Sequence, residues 1–176
     1  MSRYYLISQL PALSMDQPPH ITAETFLLSC REQLGPADAG AAEALMTGGP
    51  SAHAFVTAWR NKDTLIRNAV AKARARAAST DATQWLHPTQ EDDSQIERLV
   101  EDAFELPNPL RQERALDKTR WAVAESLQGL DPMDVKVVLA YAVKLSIALR
   151  WAALDTKRGQ EVFDALTQLP EGQITL

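Results

Sequence analysis

"SAHAFVTAWRNKDTLIRNAVAKARARAA", Ser51 to Ala78, holds no proline and no glycine. Its apolar side chains recur at helical rather than alternating intervals. Phe55, Trp59, Ile66, Val70, Ala73 and Ala77 fall within about 60° of one another on a wheel of 100° per residue. A strand would need apolar residues at every second position. The stretch therefore reads as one long helix, capped by Ser51 after the break Gly48-Gly49-Pro50 and ending near Ala78.

The flanking segments read the same way. With seven glycines in 176 residues and almost no alternating β-branched runs, the chain is expected to be all-α. The architecture predicted is a single domain, residues 1–176, forming a bundle of about six helices, two of them long. Residues 1–20 form an irregular, extended arm that carries Pro18 and Pro19, and 79–91 a linker within the domain. Thr22 caps a helix bearing Phe26, Leu27, Cys30 and Leu34. A short alanine-rich helix spans Ala37 to Thr47, and an acidic one runs from about Asp92 to Leu106. Asn108 with Pro109 opens a helix to about Gln128. Asp131 with Pro132 opens the last, which Gly159 bends or breaks before "EVFDALTQL".

The basic run inside the middle helix stands out because the formal net charge is -5. Arg60, Arg67 and Arg74 are spaced by seven, so they form one stripe drifting about 20° per heptad. The stripe borders the apolar face, where an arginine can lay its stem on carbon and send its head to a partner. Glu113 and Asp117 border the Leu116–Val123–Leu127 stripe of "PLRQERALDKTRW", as Arg120 does. Facing helices would pair Arg67 and Arg74 with Glu113 and Asp117, setting register more than adding stability. The other candidate acceptors are a partner protein and a nucleic acid. The acidic isoelectric point near 5.2 argues against nucleic acid.

A search for chemistry returns little. His20, His53 and His87 sit in separate segments with no second ligand at i+4; capping or surface roles suit them better than metal. Cys30 is the only cysteine, in the apolar context "FLLSC", and reads as a core residue. No Gly-rich phosphate loop or nucleophile motif occurs. "GGPS" reads as a helix break rather than an anion site, and "QEDDSQIE" as a solvated helix start. The expectation is a protein that is not an enzyme and needs no cofactor.

"VVLAYAVKLSIALRWAAL", Val137 to Leu154, is apolar enough to need a membrane check. Lys144 and Arg150 would each cost about 2.5–3.5 kcal/mol near a bilayer midplane. A helix buried in protein is the better reading, with Lys144 snorkelling or pairing with Glu125. It is apolar nearly all round, so it is either central or half covered by a partner. Trp121 and Trp151 lie off the best stripes of their helices and are candidates for core or interface anchors. The N-terminus lacks the apolar core of a signal peptide, so a cytoplasmic location is expected.

Several segments together resemble a family of short bacterial proteins encoded beside V-type (also called A-type) rotary ATPase subunits. They are "YYLISQLPAL", "PP" at 18–19, "FLLSC", "AWRNKDTLIRNAVAKARA", "NPLRQERALDKTRW", "YAVKLSIALRW" and "GQEVFDAL". That family is distantly similar to the helical, funnel-shaped socket protein that joins rotor ring to central stalk in these V-type ATP synthases. The socket protein is longer and built of repeated helical domains. The resemblance implies a non-catalytic structural or assembly role with ATPase subunits as protein partners, peripheral to the membrane and without insertion into it. It implies contact or pairing roles for Arg67, Asn68, Arg74, Arg120, Trp121, Lys144, Arg150 and Trp151. The alternative is a stand-alone helical adaptor or regulator.

Overall fold

A computed structural model describes residues 3–89 and 92–154. The described chain is all-helical: α1 (Arg3–Gln9), α2 (Ala23–Gln33), α3 (Pro36–Thr47), α4 (Ala54–Ala77), α5 (Ser94–Phe104), α6 (Pro109–Ser126) and α7 (Val135–Ala152), with a 3-10 turn at Thr83–Trp85. The expected break at Gly159 and the helix over "EVFDALTQL" lie outside the described residues.

α7 is central. Val138, Leu139, Ala140, Tyr141, Ala142, Val143, Leu145, Ile147 and Ala148 are all buried, so its apolar circumference is covered by the chain itself. Around it pack Leu6 of α1, Phe26 and Cys30 of α2, Ala41 and Ala42 of α3, Phe55 and Val56 of α4, and Ala124 of α6. The Phe26 and Tyr141 rings lie 5.4 Å apart at 33°, an offset, tilted arrangement that aromatic pairs favour. Burial holds the Cys30 thiol up to about 12, so it stays a thiol and serves as core volume. No helix among the described residues is long and apolar enough to cross a membrane.

A second, smaller core joins α4, α5 and α6 through Leu65, Ile66, Ala69, Ile96, Val100, Ala103 and Leu116. α4 and α6 run antiparallel, since Arg74 meets Glu113 while Arg120 meets Asp63. α4 and α5 run parallel: Lys62 pairs with Asp93, Lys72 with Glu97 and Arg76 with Glu101. The connection from Ala78 to Asp93 must therefore travel back along α4 by roughly 20 Å, at 1.5 Å per residue.

Some boundaries differ from expectation. Residues 3–9 of the arm are helical, because Leu6 finds a fully buried seat, 1% exposed. The rest of the arm is irregular, held where the Tyr141 hydroxyl donates to the Pro11 carbonyl at 3.0 Å and Arg114 donates to the Met15 carbonyl and Asp16. α4 begins after His53, not Ser51. The His53 Nδ1 accepts from the Phe55 amide at 3.2 Å, while Ser51 Oγ accepts from the His53 amide. α7 is capped by Asp134 rather than Asp131; Asp131 instead closes the preceding turn by accepting from the Met133 amide at 2.9 Å. Thr22 and Asn108 cap α2 and α6 as expected. Gly48 ends α3 at φ 77, a left-handed conformation glycine adopts without strain.

Candidate functional site: an arginine-lined cleft on a buried aspartate

Asp117 is fully buried on α6, where an unpaired carboxylate would be very costly. It is not unpaired. Its Oδ1 accepts from Arg120 Nη1 at 3.0 Å, and its Oδ2 from Trp151 Nε1 at 2.8 Å and from Arg150. Arg120 Nε in turn donates to Asp63 Oδ1 at 3.1 Å, and Asp63 Oδ2 pairs with Arg67 Nε at 2.8 Å. The result is a continuous relay, Arg67–Asp63–Arg120–Asp117–Arg150, that stitches α4 to α6 and α6 to α7. Every charge in it has an opposite neighbour, the condition under which buried ions are tolerated.

The expected pairing of Arg67 and Arg74 with Glu113 and Asp117 is thus half present. Arg74 reaches Glu113, at 3.5 Å and with both side chains largely exposed. Asp117 does not meet α4. Four residues beyond Glu113, it sits about 40° further round the helix, enough to turn it from the α4 edge into the seam with α7. Arg67 is satisfied by Asp63 on its own helix. Arg60, third member of the stripe expected to find carboxylates within the bundle, instead donates its guanidinium to the Gly49 carbonyl, holding the loop before α4. Lys144 pairs with Glu125 at 3.2 Å as expected, and Trp121 Nε1 donates to the same oxygen at 3.0 Å. The Lys144 ammonium lies 5.4 Å from the Trp121 ring centre, within cation–π range.

Asn68, 7% exposed, has a role its spacing did not announce. Its side-chain amide donates to the His87 carbonyl and accepts from the His87 amide, both at 2.8 Å. This two-point clamp pins the returning connection to the middle of α4. The 3-10 turn just before it sets Trp85, half exposed, at the edge of a cleft between α4 and α6. The cleft has a volume of about 520 Å³, in the range of small-ligand sites. Arg67, Val70, Arg74, Glu113, Leu116 and Arg120 face it, with Trp85 at its border.

The cleft therefore gathers three guanidiniums in a chain of net charge -5. Its chemistry is donation to anions over an apolar floor. Among the described residues no group of three or more His, Cys, Asp or Glu is placed to hold a metal.

A family model, DUF2764, a protein of unknown function, matches residues 48–172, which include α4 to α7 and the whole cleft. The chain belongs to the DUF2764 family. No curated protein and no solved structure matches it.

Two features of this DUF2764 chain were not apparent from its residue pattern. One is Asp63, the hinge of the relay; its i, i+4 relation to Arg67 was the available signal. The other is Trp85, which lies in a stretch that reads as linker. The α4–α5 ion pairs were also legible in principle. Lys72 and Arg76 are four apart, as are Glu97 and Glu101, so two parallel helices could match them.

Proposed function

We propose that this DUF2764 chain is a non-catalytic helical scaffold that binds other proteins, serving as a socket-like structural or assembly component of a V/A-type rotary ATPase. The observation that carries the binding part is the relay from Arg67 to Arg150. Carboxylates on the inside fix guanidiniums whose outer ends stay on the surface, with Arg67 65% and Arg150 54% exposed. Side chains held in this way lose little further freedom when a partner docks, which favours recognition. Exposed Leu110, Leu130 and Met133 offer apolar contacts in the first turn of α6 and in the loop after it. The ATPase part is supported by the sequence resemblance. On that reading the protein works at the cytoplasmic face of the membrane, held there by its complex.

The test is to tag the chain in its native source and purify it under mild conditions. Co-purification of rotary ATPase subunits, from the mature enzyme or an assembly intermediate, is the expected result. Recovery of a different soluble protein in stoichiometric amount, with no ATPase subunit, would replace the ATPase assignment with that of a stand-alone adaptor.

A further inference from the structure

We infer that the cleft between α4 and α6 is a docking site for an acidic, extended segment of a partner protein, bearing two carboxylates three residues apart with an apolar side chain between them. This rests on the reading of the chain as a protein binder and names what one of its surfaces recognises.

Three observations support the assignment. First, the cations are available while the native carboxylates near them are spent. Asp63 is engaged by Arg67 and Arg120, and Asp117 by Arg120, Arg150 and Trp151. Arg67 contributes only its Nε to its pair, and Arg74 only one terminal nitrogen. The remaining donors of both hold no hydrogen bond among the described residues. Glu113, at 3.5 Å from Arg74 and half exposed, is the cleft carboxylate an incoming anion must displace, and such a surface pair is weak.

Second, the spacing selects the ligand. Arg67 and Arg74 are seven residues apart on one helix, about 10.5 Å along its axis. Arg120 stands beside Arg67 because both hold Asp63. The cleft thus has two guanidinium grips separated by the apolar ground of Val70, Ala71 and Leu116. Adjacent phosphates of a polyphosphate are too close together to reach both. In an extended polyproline II segment, with three residues per turn and a rise of about 3.1 Å, the side chains of residues i and i+3 share one face and lie about 9 Å apart, which matches.

Third, Trp85 lines the cleft, half exposed, two residues before His87, whose backbone Asn68 clamps to α4. A half-exposed indole beside an apolar floor is a typical anchor for an aromatic or aliphatic side chain.

The probe is the blocked peptide acetyl-Asp-Phe-Ala-Glu-amide, titrated into the full chain at low ionic strength by calorimetry. Binding is expected, and it should vanish when Asn and Gln replace the two acids. Arg67→Ala and Arg74→Ala, both on exposed side chains, should each weaken it tenfold or more. Trp85→Ala should weaken it several-fold, and Glu113→Gln, which frees Arg74, should strengthen it several-fold. Circular dichroism of each variant confirms that the fold is retained. Unchanged affinity in the Arg67→Ala/Arg74→Ala double variant, or no binding to the wild-type chain, would overturn the inference. Tighter binding of tripolyphosphate or duplex DNA through the same arginines would overturn the ligand class. Should the wild-type chain co-purify with ATPase subunits while the peptide fails to bind, the cleft assignment falls and the scaffold reading stands. The opposite pattern removes the ATPase and keeps the cleft.

Discussion

Phe26, Leu139 and Leu145 sit in one half of the bundle with no exposure to water, whereas the α4–α5 seam in the other half is edged by Lys62–Asp93, Lys72–Glu97 and Arg76–Glu101. The first half surrounds α7 on every side; the second joins three helices through a core of seven buried residues. Burial of apolar surface is cooperative and insensitive to salt, while exposed ion pairs are individually weak and screened. The α7 half should therefore set global stability, and the α4–α5 seam should open first.

The largest effects are expected in the α7 half. Leu139→Ala or Phe26→Ala should cost about 3–5 kcal/mol by denaturant titration, through lost burial and an uncollapsed cavity. Ile96→Ala in α5, a buried member of the smaller core, should cost about 2 kcal/mol. Equal costs at Leu139 and Ile96 would erase the distinction between the halves. The same contrast is visible at Cys30. With its thiol held up to about 12 by burial, it should resist alkylation at pH 8 in the native state and react at once in denaturant. Rapid native labelling would show that the α2–α7 contact opens easily.

Asp117 joins the two halves, and its replacement comes next in size. Asp117→Asn keeps the shape but removes the charge that faces Arg120 and Arg150. Breaking a buried pair by deleting one partner costs about 3–5 kcal/mol; here Arg150 is partly exposed and can turn to water, so about 2–3 kcal/mol is expected. A cost below about 0.5 kcal/mol, typical of an exposed pair, would mean the relay is ornamental.

Asn68→Ala should cost about 1–3 kcal/mol, from two hydrogen bonds of about 0.5–1.5 kcal/mol each. Its signature is local. The His87 amide should lose its protection against hydrogen exchange while amides of α7 keep theirs.

Much of this division was legible in the sequence. The apolar positions of α7 leave almost no polar face, which narrows it to a central helix or one half covered by a partner, and its burial within the chain decides for the first. Thr22, Asn108 and the proline after it announce two helix starts by capping chemistry alone. What was not legible depends on which helices become neighbours. Arg60, Arg67 and Arg74 occupy equivalent heptad positions, yet they bind a backbone carbonyl, a carboxylate of the same helix and a carboxylate of another. Periodicity places a side chain on a face but does not say what faces it. Likewise a polar stretch without periodicity reads as linker, and only the parallel course of α4 and α5 forces it back along α4, where Asn68 holds it and Trp85 meets the cleft.

The smallest effect probes the seam itself. The Lys62 ammonium, hydrogen-bonded to Asp93, holds that carboxyl below the usual aspartate range, with help from the amides of Ile96 and Gln95. A carboxyl whose folded value lies below its unfolded value of about 3.9 stabilises the fold above that pH. The contribution is lost as pH falls through the folded value, because the unfolded chain takes up the proton first. Asp93 is near the surface, so the contribution should stay under about 1 kcal/mol. Asp93→Asn should flatten this part of the stability profile between neutral pH and pH 3. Lys72→Ala, which removes one exposed pair, should cost about 0.3 kcal/mol and should make the seam less sensitive to salt. Because these pairs join α5 to α4 and involve no residue of α7, hydrogen exchange in α5 should quicken in both variants while α7 is unchanged. A matching change in α7 would mean that the seam and the α7 core unfold as one unit and that the two halves are held by a single cooperative core.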